Sequence, residues 1–149
     1  MKVRFDNITK KFGQTVAVNN FSAELTDGHL ICLLGPSGCG KSTILNMLCG
    51  IIPVTQGHIF FDDEDVTKLP PDQRNIGMVF QNYALYPHMT VLENIAFPLE
   101  VKKIPKAERN AKAAELAKLV HVDNLLTRYP AELSGGQQQR VAIARALVK

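Results

Sequence analysis

The chain has 149 residues, 46% hydrophobic and 21% charged, which describes one globular domain able to bury a core and excludes a disordered chain. Lys and Arg number 17 against 14 Asp and Glu, and the resulting charge of +3 is too small and too evenly spread to serve a nucleic-acid partner. No apolar run reaches the roughly 18 residues of a membrane span, and residues 1–6 lack the apolar stretch of a secretion signal.

Residues 3–11 and 16–25 are rich in β-formers with polar residues on alternate sides, and predict two strands. Asp27-Gly28 marks a turn. Residues 30–34 are apolar throughout, the pattern of a parallel strand covered on both faces. Next comes Gly35-Pro36-Ser37-Gly38-Cys39-Gly40-Lys41-Ser42-Thr43, which fits the phosphate-cradling pattern G-x-x-x-x-G-K-[S/T] between a strand and a helix. In such a loop the backbone N–H groups wrap phosphate oxygens and the helix N-terminus adds partial positive charge. Gly35, Gly38 and Gly40 allow close backbone approach, and Lys41 reaches the β- and γ-phosphates. The Ser42 hydroxyl ligates Mg²⁺, and Thr43 sits near the α-phosphate.

The helix after the loop is predicted over 41–49, with Ile44, Leu45 and Leu48 inward and Gly50 as its stop. Pro53 and Gly57 bracket a turn before a strand beginning at 58–61, and the acidic run 62–65 reads as a solvated turn rather than a metal site. Residues 76–80 predict a second buried strand. From Thr90 the pattern turns helical: Thr90 and Glu93 form a capping box, Ala107, Ala111, Ala114 and Ala117 recur at helical spacing, and Pro98, Pro105 and Pro130 punctuate the helices. Cys32, Cys39 and Cys49 read as reduced cytosolic thiols with small, buried side chains, and the four histidines as surface residues. A second signal is Leu133-Ser134-Gly135-Gly136-Gln137. A Ser-Gly-Gly segment opening a helix presents free N–H groups to an anion beyond the helix end.

Together these blocks resemble the nucleotide-binding subunit of an ABC transporter, from Val3 to the last residue. Residues 35–43 are similar to the Walker A loop, 78–81 to the Q-loop, 133–137 to the signature motif, and Phe12 to the aromatic that stacks on adenine. Residues 82–91 and Tyr129-Pro130 are most similar to importer subunits of the sugar and polyamine solute classes. Tyr is usual in relatives at Phe12, and Phe stacks equally well. The fold so implied is an α/β P-loop NTPase: an antiparallel β-subdomain with the loop part of the core over about 1–86, an incomplete RecA-like core, and an α-helical subdomain over about 87–149.

The resemblance implies roles residue by residue. Phe12 stacks on the base, Val18 is a further nucleotide-binding residue, and Gly35 to Thr43 take the phosphates of ATP. Ser42 and Gln81 take Mg²⁺, with Gln81 also positioning the attacking water. Ser134, Gly135, Gly136 and Gln137 meet the ATP held by an opposite subunit, so the working unit is a head-to-tail dimer. The implied partners are a second ATP-binding subunit, integral membrane permease subunits beside residues 83–88, and, indirectly, an extracytoplasmic solute-binding protein. The implied place is the cytoplasmic face of the cell membrane.

Hydrolysis in this family also uses an Asp and a Glu at the end of a strand after the signature helix, and a later His. No Asp or Glu follows Glu132 in this sequence. The expectation is therefore an N-terminal fragment that binds nucleotide without appreciable hydrolysis, with poorly covered strand edges that favour pairing with another copy. Alternatives are a repair- or translation-type cassette ATPase and a non-catalytic nucleotide-binding or assembly module. Only about fifty residues separate Gln81 from Leu133, too few for the coiled-coil insertion of repair types.

Overall fold

The computed structural model describes residues 1–148, which fall into two compact units, one of residues 1–75 and one beginning at Ile76.

In the first unit, β1 (Val3–Phe12) and β2 (Thr15–Leu25) form an antiparallel hairpin, and β3 (Gln56–Phe61) adds to the other edge of β1. The two-residue strand β4 (Glu64–Asp65) completes a sheet of order β2-β1-β3-β4, antiparallel throughout. Phe5, Ile8, Ile59 and Phe61 are buried, and Phe5 meets Phe21 edge-on at 5.5 Å between ring centres. Asn7 adopts a positive φ of 50° where the β1 register shifts, which turns the apolar set after it back to the buried side.

Helix α1 (Lys41–Leu48) packs against β2. Its inward residues are Ile44 and Met47, whereas Leu45 is exposed and Leu48 half-buried. The predicted inner face is thus rotated: Ile44, Leu45, Met47 and Leu48 spread apolar side chains over more than one side of a short helix and leave the tertiary partner to choose the face. Gly50 does end the helix, with φ 74°. The C-terminal carbonyls are held by Arg74, which is buried and donates to Met47 O at 2.7 Å, Leu48 O at 2.8 Å, Leu69 O at 2.9 Å and Thr67 O at 3.0 Å. A guanidinium without a carboxylate is satisfied here by four carbonyls, two of them at the negative end of a helix dipole.

The second unit is helical. Helices α2 (Val91–Val101), α3 (Lys106–Leu119) and α4 (Gly135–Leu147) pack pairwise around Val91, Ile95, Leu99, Ala113, Ala117, Val122, Leu125, Leu133, Val141 and Ala144. The Thr90–Glu93 capping box is formed as expected. Pro98 does not end its helix but lies inside α2, where burial of Ile95, Ala96 and Leu99 offsets the lost backbone hydrogen bond. In α3 the buried residues are Ala113 and Ala117, while Ala107 and Ala111 face solvent.

Neither residues 30–34 nor 76–80 enter a ladder. A strand exists only by its neighbours' hydrogen bonds, and no described segment supplies them. Leu30 and Leu34 are accordingly 95% and 90% exposed. Cys32 shares that exposure and Cys39 is exposed in the loop; Cys49 alone is buried as expected. The four histidines are exposed.

Candidate functional site

Gly40 caps α1 in the left-handed conformation, at φ 92°. A Cβ there would lie 2.6 Å from the Ala17 carbonyl oxygen and 3.2 Å from Val18 Cγ2, so the loop leans directly on β2 and only glycine fits. This contact places the buried Val18 against the loop's end. Lys41 folds back into the loop: Nζ donates to the carbonyls of Gly35 and Pro36, each at 2.7 Å, and lies 3.4 Å from Cys39 Sγ. No acid occupies the first turn of α1, so its positive end is not neutralised from within. Gly35, Pro36, Ser37, Gly38 and the Ser42 hydroxyl are on the surface, with Thr43 half-buried. An exposed ammonium, an uncompensated helix N-terminus and Gly38 at φ 81° fit a polyanion such as a triphosphate. Phe12 closes β1 opposite Thr15 and is 51% exposed, leaving ring surface for a base.

In the second unit, Gln81 is exposed and precedes two consecutive residues with positive φ, Tyr83 at 60° and Ala84 at 45°. Arg145, from the last turn of α4, donates to Tyr83 O at 2.9 Å and Ala84 O at 2.8 Å, with its guanidinium 5.3 Å from the Tyr86 ring centre. Burial pushes the Arg145 guanidinium pKa down, and the nearby Tyr86 opposes this. Farther along, the fully buried Asn94 accepts from the Tyr86 amide at 2.8 Å and donates to the carbonyls of Tyr86, Met89 and Thr90 at 3.0–3.1 Å. Sequence reasoning missed both organisers. An Asn inside the apolar stripe of α2 was the available signal; Arg145 gave none, because its acceptors are backbone atoms of a distant turn.

Ser134 caps α4, its hydroxyl accepting from the Gln137 amide at 3.4 Å while Gln137 Oε1 accepts from the Ser134 amide at 2.8 Å. Leu133 is buried in the helical core and anchors this end. Gly135 and Gly136 have no positive φ, and a Cβ on either would meet nothing within 4 Å. Among the described residues, no contact and no positive φ calls for glycine at these positions. No acid occupies the first turn of α4, so its positive end is not neutralised from within.

Among the described residues no group of three or more His, Cys, Asp or Glu could hold a metal ion.

Residues 18–149 match the profile described as ABC transporter. The chain is 53% identical over 146 residues to an Fe(3+) ions import ATP-binding protein of Brucella abortus (strain 2308), covering 98% of this chain and 41% of the relative. It is 50% identical over 147 residues to a sulfate/thiosulfate import ATP-binding protein of Gloeobacter violaceus, covering 99% and 43%. It is 43% identical over 146 residues to a spermidine/putrescine import ATP-binding protein of Aggregatibacter actinomycetemcomitans, covering 98% and 39%. The chain spans about two fifths of these curated relatives. Among solved structures it is similar to the dimeric, post-hydrolysis ATP-binding cassette MJ0796 bound to ADP and Pi, with a TM-score of 0.87, 38% identity, and coverage of 98% of this chain and 69% of that one. The fold is that of such a cassette in part, an α/β P-loop protein with an antiparallel sheet and a helical portion, and the chain belongs to the ABC transporter ATP-binding family.

Proposed function

We propose that this chain is the ATP-binding part of an importer subunit, a single partial ABC domain with its β-subdomain and phosphate loop over about 1–86 and its helical subdomain over about 87–149. The observation that carries the reading is the loop closed around Lys41 at the free N-terminus of α1. Lys41 would exchange its two carbonyl acceptors for phosphate oxygens, and Gly35 to Thr43 would offer backbone N–H groups. Ser42 and Gln81 would complete the Mg²⁺ shell, and Phe12 with Val18 would take the adenine.

The open N-terminus of α4 supports a second role. Ser134, Gly135, Gly136 and Gln137 would bind the γ-phosphate of ATP on an opposite subunit, which makes a head-to-tail dimer the working unit. Permease subunits in the cell membrane, and through them an external solute-binding protein, are the further partners, with the subunit peripheral on the inner face. Among the described residues no helix is long and apolar enough to cross a membrane. The relatives' named solutes include Fe(3+), sulfate and spermidine at 43–53% identity. A segment shared so widely does not choose the solute; that choice falls to the partners.

Phosphoryl transfer to water needs an oriented nucleophile as well as charge stabilisation. Charge stabilisation is what the loop around Lys41 offers, so Mg-ATP binding is the activity assigned to these residues. The test is an equilibrium titration with Mg-ATP: Lys41→Ala should weaken binding about tenfold or more. Unchanged affinity would mean that the loop does not hold the phosphates.

A further inference from the structure

Lys10 lies on β1, two residues before Phe12, with its Cα opposite Val18 of β2. It is only 8% exposed, yet it pairs with no carboxylate within 4 Å among the described residues. Its ammonium instead donates to the Pro53 carbonyl at 2.7 Å and lies 5.0 Å from the centre of the Phe12 ring. The segment carrying Pro53 is itself tied to β1, because Thr55 N donates to Thr9 O at 2.9 Å and Lys11 N to Thr55 Oγ1 at 3.0 Å. The ammonium is therefore held from the backbone rather than by a mobile acid.

A buried charge is costly unless something compensates it. Here the compensation comes from one carbonyl and the negative face of an aromatic ring. If packing alone were needed, an apolar side chain of similar length would serve. The ring so held is half-exposed at the mouth of the hairpin whose Val18 touches Gly40 of the loop. A cation on the ring has two effects. It restricts the ring's orientation, and it draws electron density from it, which favours stacking on an electron-rich purine.

We propose that Lys10 is a positioning residue for the base-stacking face of Phe12, raising the affinity for the base of a nucleotide without touching its phosphates. The inference rests on the reading of the loop as a triphosphate site. Two probes separate the two ideas: Mg-ATP, and Mg-tripolyphosphate, which carries the phosphates without a base.

Titration of the 149-residue chain and its Lys10→Met and Lys10→Arg variants provides the test, with folding of each checked by circular dichroism. Lys10→Met should weaken ATP binding on the order of three- to tenfold and leave tripolyphosphate unchanged, whereas Lys10→Arg should retain most of the ATP affinity. In a Phe12→Leu background, Lys10→Met should cost nothing further. Equal losses for both ligands, or no loss for either, would overturn the role of Lys10 while leaving the loop reading intact. A wild-type chain that binds neither ligand would overturn the loop reading and this inference with it. A Lys10→Met variant that fails to fold leaves the decision to Lys10→Arg and Phe12→Leu: loss of ATP affinity with arginine in place would overturn the proposal, as would an unaltered affinity in Phe12→Leu.

Discussion

Arg145 donates to the carbonyl of Ala84 at 2.8 Å across 61 positions of sequence, and Ala84 sits at a positive φ of 45°. A second bond to Tyr83, also at positive φ, makes the guanidinium a fork over two strained carbonyls. Left-handed backbone at two successive non-glycine residues costs on the order of 1–3 kcal/mol each, so the turn after Gln81 persists because α4 holds it.

Arg145→Ala should therefore destabilise the helical unit by about 2–3 kcal/mol and accelerate amide hydrogen exchange over residues 83–86. Lysine cannot reproduce the fork and should restore only part of the loss. Adding Ala84→Gly to Arg145→Ala should recover stability, since glycine adopts this conformation without strain. Urea unfolding with exchange by mass spectrometry reads both effects; no recovery from glycine would show that strain is not what Arg145 offsets.

From a fully buried position Asn94 accepts from one backbone amide and shares its two N–H donors among three carbonyls. Asn94→Ala or Asn94→Leu should cost about 2–4 kcal/mol, because the Tyr86 amide loses its acceptor and the Met89 carbonyl its donor, while Tyr86 O and Thr90 O keep only their backbone donors. Asp at this position should fare no better, since its carboxylate cannot donate to those carbonyls. Thermal melts of the three variants decide it.

These two side chains mark where sequence reasoning stopped. Strands β1 and β2, the loop-to-helix junction at Gly40, the Gly50 stop and the capping box at Thr90 were legible because each depends on neighbours within a few residues. The inner faces of α1 and α3 were not, since alanines or leucines at several adjacent positions satisfy helical spacing on more than one side. Residues 30–34 and 76–80 were misread for a different reason: an apolar run reports a preference for burial but names no ladder partner. At the candidate site, the loop and the Ser134 cap were visible as motifs. Lys10, Asn94 and Arg145 were not, because what they hold is backbone or a ring whose position depends on the fold.

The Glu93 carboxyl accepts from the Thr90 amide at 2.8 Å and from its hydroxyl at 2.9 Å, which holds its pKa below the ordinary glutamate range. A lowered folded-state pKa stabilises the protein above the ordinary value, and that contribution is lost as pH falls through the folded value. Glu93→Gln can still accept these bonds without titrating. Wild type and Glu93→Gln should therefore converge or cross in stability as pH is lowered from about 6 to 3, the wild type losing more. Parallel pH profiles would exclude the contribution.

Leu30 and Leu34 expose nearly all of their surface within one short segment. Leu30→Ser with Leu34→Ser should reduce concentration-dependent self-association, measured by light scattering, while leaving the melting temperature within a few degrees. Undiminished association in the double variant would place the sticky surface elsewhere.

Nucleotide binding by the loop at the start of α1 should register in its own amide chemical shifts during a Mg-ATP titration. Saturable shifts are expected at Gly38, Gly40, Lys41 and Ser42, accompanied by movement of the Phe12 ring resonances, with their loss in Lys41→Ala. Saturable binding that leaves these amides unmoved, or moves them equally in Lys41→Ala, would contradict it.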